Sequence, residues 1–140
     1  MTAETDAGAI RQARLDVARG SMRRLFDVEW ITKPRPGEPE SAQDLEEVLL
    51  TQAFSETWAR SGLDDRTKCL MSLAIDVAQG TTKELGLHVG GALVVGVTPE
   101  EIVEALIHTA AYCGASKTAG AWSVARKVIA AHAERGAQGL

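Results

Sequence analysis

The sequence predicts an all-α fold of about six helices. Three observations carry that expectation. Alanine, leucine, valine and glutamate dominate the composition, and these residues favour helix. Apolar residues recur at helical spacing, whereas no alternating stretch is long enough for more than a few strand residues. Helix stop and start signals punctuate the chain, most clearly at Gly96 to Glu101. Gly96 stands where a helix C-terminus favours a left-handed residue. Thr98-Pro99-Glu100-Glu101 follows as a capping box with proline at the first helical position.

A length of 140 residues points to one domain over 1–140, and 45% apolar residues suffice for a core. A net charge of −4 argues against nucleic acid or an anionic membrane as partner. No window approaches the ~20 apolar residues of a membrane span. The N-terminus lacks a secretory pattern, so a cytoplasmic protein is expected. Cys69 and Cys113 lie far apart in apolar stretches and form neither a CxxC nor a zinc spacing. They read as reduced, buried thiols.

In chain order, residues 1–6 are polar and expected to fray. A basic helix over 7–26 carries Arg11, Arg14, Arg19, Arg23 and Arg24, with Ile10, Val17, Met22 and Phe26 as its apolar marks. The prolines of 33–40 block helix and make a linker. Ser41 is expected to cap a helix running to about Trp58, with Leu45, Val48 and Leu49 marking its apolar face. Asp64 caps a helix over 66–79 that is apolar nearly all round, hence central and buried, and Gly80 ends it. A helix over 82–95 carries Gly86, Gly90 and Gly91, which suggests close backbone approach to a neighbouring helix or a ligand. The capped helix spans 99–113. Ser116 is expected to start a last helix to about Ala133, with Ala121, Trp122, Ala125, Val128 and Ile129 inward, and 136–140 to fray.

Two ionisable pairs stand out. Glu84 and His88, four residues apart, share a face of one helix. Glu104 and His108 repeat the spacing on the next helix, and Tyr112 extends that row. A structural reading makes Glu104, His108 and Tyr112 subunit-contact or core residues and puts His132 in solvent. Three histidines without HxH or HExxH spacing give no metal site.

Four ordered motifs make the chain resemble the carboxymuconolactone decarboxylase family, within the wider alkylhydroperoxidase D-like all-α fold. Trp58-Ala59-Arg60-Ser61-Gly62-Leu63-Asp64-Asp65-Arg66 is similar to W-x-R-P-G-L-x-x-R. Glu84-Leu85-Gly86-Leu87-His88 is similar to E-L-x-x-H. Gly96 to Ile102 is similar to N-G-[LV]-T-x-E-E-I, and Tyr112-Cys113-Gly114 to the Y-[AC]-G that precedes V-P-A-A. The chain departs from these patterns at Ser61, Ser116 and Lys117, where the family has proline, proline and alanine. The cysteine positions of the redox members hold Thr81 and Glu84, and their glutamate position holds Cys69.

The resemblance implies a homo-oligomer, a trimer or hexamer, that needs no cofactor and acts on a small anionic substrate. It further implies a lyase like 4-carboxymuconolactone decarboxylase, releasing CO2 from a carboxylated lactone in aromatic catabolism. His88 would then move the proton, Glu84 would orient it or act as base, and Arg66 would hold the substrate carboxylate. Arg60, Trp58, Cys69 and Tyr112 would line the substrate site. Other classes stay open: a tailoring enzyme of secondary metabolism on the same scaffold, a peroxide-handling protein, and a non-catalytic ligand-binding module.

Overall fold

The computed structural model describes the backbone of residues 3–26 and 34–138, and the side chains of 6–26 and 34–138. Lys33 of the expected linker, residues 1–2 of the N-terminal tail and 139–140 of the C-terminal one lie outside the described residues. All regular structure among the described residues is helical, in six α-helices and one short π-helix. The chain divides into two compact units, Met1–Gly62 and Leu63–Leu140.

In the first unit, α1 (Ala3–Phe26) packs on α2 (Ser41–Ala53). Helix α1 starts before residue 7, so the fraying expected over 3–6 is not seen. Its buried row is Leu15, Ala18, Met22 and Leu25, at the i, i+3, i+7 spacing of one helix face. Ile10 and Val17 lie off that row and are 61% and 48% exposed, contrary to expectation. Helix α2 differs likewise: Glu47 and Leu50 are buried, while Leu45, Val48 and Leu49 face outward. Ser41 is its first helical residue and not its cap; Glu40 precedes it in helical conformation without a side-chain bond.

A π-helical turn, Phe54–Trp58, continues α2. It turns Phe54 and Trp58 onto Phe26, edge to face at 5.7 and 5.8 Å. Thr51 and Ser55 donate their hydroxyls to the carbonyls of Glu47 and Thr51, each at 2.8 Å, and Thr57 bonds the carbonyl of Ala53. Such back-bonding accompanies distorted helix. Arg11 and Arg14 of the basic α1 are paired with acids. Arg11 donates to Glu47 at 2.5 Å and to Asp44 at 2.9 Å, and Arg14 donates to Glu56 at 2.6 Å. Residues 34–40 contain no helix, as their prolines require.

The second unit holds α3 (Asp65–Gln79), α4 (Thr82–Val94), α5 (Pro99–Cys113) and α6 (Ala115–Ala137). Within it α3 packs on α4 and α5, and α6 packs on the same two helices. Its expected caps form. Asp64 accepts from Thr67 N–H at 2.7 Å. Gly80 and Gly96 take positive φ, 79° and 86°, after α3 and α4. The α5 box closes in both directions, Glu101 N–H to Thr98 Oγ1 at 3.2 Å and Thr98 N–H to Glu101 Oε2 at 2.8 Å.

Several packing expectations need correction. Helix α3 is not buried all round: Met71 and Ile75 are 50% and 51% exposed, while Cys69, Leu73, Asp76 and Val77 face inward. Cys113 is half-buried, because it sits on the last turn of α5. Helix α6 starts at Ala115, with Ser116 inside its first turn, and continues to Ala137. Trp122 is 38% exposed, with the Arg126 guanidinium 5.7 Å over its ring, and the inner row is Ala121 and Ala125. His132 is half-buried. The close approach expected of the glycines is real at Gly86, where an added Cβ would meet Val124 Cγ1 at 3.3 Å.

Candidate active site

The junction of α3 and α4 builds a buried polar cluster around Asp76. Gly80 turns the chain in the left-handed region, and the N–H groups of Gly80 and Thr81 donate to the Asp76 carbonyl at 2.7 and 3.1 Å. That turn brings the Thr81 side chain back to Asp76, so that Thr81 Oγ1–H donates to Oδ1 at 2.9 Å. Nearly two turns into α4, His88 Nδ1 lies 2.5 Å from Asp76 Oδ2. The Asp76 side chain is 6% exposed and that of His88 16%. A carboxylate so removed from water needs partners for both oxygens, and Thr81 and His88 supply them. Lys117 adds support from α6, its ammonium donating to the Ala78 carbonyl at 2.5 Å near the C-terminus of α3. The lysine that departs from the family pattern therefore fastens α6 to this junction.

An ionised carboxylate only accepts hydrogen bonds, so the bond to Asp76 assigns a proton to His88 Nδ1. In the neutral ring the basic lone pair is then on Nε2.

The other expected residues are placed as follows. Glu84 is exposed in the first turn of α4, and the carboxylate on His88 Nδ1 is that of Asp76. Arg66, in the first turn of α3, donates through Nη2 to both oxygens of Glu101, at 2.5 and 2.6 Å. Glu101 is held down to about 2 by the Thr98 N–H first and by Arg66 next. Cys69 is fully buried, and desolvation, with Asp65 nearby, pushes its thiol up to about 11. Tyr112 is 79% exposed, its ring 5.2 Å from that of exposed His108. Trp58 and Arg60 belong to the first unit, Trp58 buried against Phe26 and Phe54, and Arg60 exposed. Among the described residues no group of three or more His, Cys, Asp or Glu could hold a metal. Nor is any described helix long and apolar enough to cross a membrane.

Sequence reasoning missed Asp76. The available signal was a lone acid in the apolar run Leu73-Ala74-Ile75-Asp76-Val77-Ala78, a position that calls for a buried partner.

Comparison with known proteins adds a second line. The chain is 39% identical over 84 residues, 60% of its length, to the nitrosuccinic acid decarboxylase of Metarhizium robertsii. It is 31% identical over 87 residues, 62% of its length, to the 4-carboxymuconolactone decarboxylase of Acinetobacter baylyi. The matched stretches span 59% and 65% of those two relatives. Residues 43–127 match a single family along their whole extent, including both Asp76 and His88, and the chain belongs to the carboxymuconolactone decarboxylase family.

Proposed function

We propose that the protein is a cofactor-free carboxy-lyase that removes CO2 from a small anionic acid, with His88 moving the proton. The observation that carries this reading is the half-buried, carboxylate-backed imidazole of His88 in a member of this family. The two relatives are named for acids that bear an electron-withdrawing group, a nitro group in one and a lactone in the other. Loss of CO2 from such an acid leaves its bonding electron pair on that group, as a nitronate or an enolate. A positioned acid then protonates carbon or the lactone system. His88 is proposed for that transfer, and Arg66 for the carboxylate, where substrate would compete with Glu101. Carboxylated muconolactones and α-nitro diacids, assayed for CO2 release, test the reading. Turnover of either class that His88→Ala abolishes supports it; a His88→Ala variant as active as the wild type overturns it.

The peroxide-handling alternative draws little support from Cys69, whose burial keeps it a thiol at neutral pH. A homo-oligomer, trimer or hexamer, is also proposed. Half-exposed Met71, Ile75, Ile107 and Val94 of the second unit, and Ile10 and Leu45 of the first, are the apolar surface it would cover. Light scattering at micromolar concentration should find an oligomer, and a monomer would refute it.

A further inference from the structure

We infer that Asp76, braced by Thr81, is the positioning residue of His88, and that it selects Nε2 as the nitrogen that exchanges the proton. The inference rests on the proposed role of His88 and supplies what that role lacks, namely which ring nitrogen works and what holds it.

Three features of the cluster lead there. First, both ends of Asp76 are fixed. Its carbonyl accepts from Gly80 and Thr81, and its Oδ1 accepts from the Thr81 hydroxyl, so the carboxylate has little freedom left. Second, the remaining oxygen meets Nδ1, at 2.5 Å. In water a neutral imidazole prefers its proton on the other nitrogen, so this contact reverses the usual tautomer. Third, burial is graded. Asp76 is almost wholly enclosed at 6%, whereas the His88 side chain keeps 16% of its surface. The carboxylate therefore backs the ring from inside without needing to touch a ligand. A carboxylate on one imidazole nitrogen also stabilises the cation that forms when the other nitrogen takes a proton.

A bond that merely fastened α3 to α4 would hold the same tautomer, but its loss would not lower kcat selectively. The test reads the tautomer directly, in the protein alone. Long-range proton–nitrogen NMR of the imidazoles, assigned with His88→Gln, should show neutral His88 with a protonated Nδ1 and a pyridine-type Nε2. Asp76→Asn should move the population toward the Nε2–H form; Asp76→Glu should restore part of the native form. Thr81→Val is the milder variant in case Asp76→Asn does not fold, and should shift the same population partway. A wild-type ring protonated on Nε2, a ring that never becomes neutral, or a tautomer indifferent to Asp76→Asn and Thr81→Val would overturn the inference.

With a substrate from the CO2 assay in hand, Asp76→Asn should lower kcat by ~10-fold or more with KM nearly unchanged, and Asp76→Glu should recover part of it. The two readings fail separately. A native Nδ1–H tautomer with full turnover by His88→Ala sinks the acid–base role of His88 and leaves the geometry intact. An Nε2–H tautomer with His88→Ala inactive sinks the Asp76 assignment alone.

Discussion

Arg66 donates through a single Nη2 to both carboxylate oxygens of Glu101, at 2.5 and 2.6 Å, and the same carboxylate closes the capping box of α5. The cation expected to hold a substrate carboxylate thus already faces one in its own unit. Glu101 gathers the Thr98 N–H, the Thr98 hydroxyl and the Arg66 guanidinium. Each favours the ionised form.

A pH dependence of stability follows, with its sign set by the direction of the shift. Glu101 falls from an ordinary 4.5 to about 2 in the folded chain. Its contribution is fully present above the ordinary value and is lost as pH falls through about 2. The difference in urea midpoint between wild type and Glu101→Gln should be constant from neutrality down to about 5 and shrink below that. Thr98→Ala should cost ~0.5–2 kcal/mol through the lost cap. A Glu101→Gln difference that ignores pH would show that the carboxylate charge is not what the box uses.

The glycines of α4 separate into two kinds. A Cβ at Gly90 would sit 3.9 Å from Val128 Cγ1, an ordinary contact, whereas at Gly86 it would press on Val124 Cγ1 at 3.3 Å. Gly90→Ala should stabilise by up to ~1 kcal/mol, the helix-propensity gain. Gly86→Ala should gain less or destabilise, since Val124 must yield. Thermal melts of the two variants decide it; equal gains would mean that α6 accommodates both.

Much of the second unit was legible because its signals are local. Asp64, Gly80, Gly96 and the Thr98–Glu101 box act within one turn, and each forms as read. What failed depends on partners distant in sequence. Which of Ile10, Leu15, Val17 or Met22 faces inward is decided by packing that a row of apolar residues does not specify. The π-helical turn that aims Trp58 leaves no mark except hydroxyls that bond back to the helix. The site split along the same line. The motif singles out His88 as a candidate, but not the carboxylate bonded to it, because the four-residue spacing points to Glu84. The carboxylate that reaches Nδ1 comes from the preceding helix, across a turn.

The two cysteines should differ in reactivity. Cys113 is half-buried; Cys69 is enclosed, with its thiol pushed up to about 11. At pH 8 a thiol reagent should label Cys113 in the native protein and Cys69 only on unfolding. Replacing both by alanine should leave most CO2 release intact and cost packing stability at Cys69. Loss of turnover in a folded double variant would bring the thiol chemistry back.

The kinetics of single variants should separate three carboxylate-binding and proton-moving roles. His88→Ala should lower turnover by ~10²–10⁴-fold, the usual contribution of a positioned acid–base group, with binding much less affected. Arg66→Ala should show the reverse balance, raising KM more than it lowers kcat, and Glu101→Gln should lower KM by removing the competitor for that guanidinium. Glu84→Gln bears on the first role. Glu84 is exposed, and Asp76 holds the His88 nitrogen that Glu84 was expected to orient. If Glu84 has no share in the proton transfer, its amide variant should retain most of the wild-type kcat and the same pH profile. If Glu84 is the base, the amide cannot take the proton, and kcat collapses in a protein that is still folded. A collapse in Glu84→Gln together with wild-type turnover in His88→Ala would move the chemistry from the half-buried imidazole to the exposed face of α4.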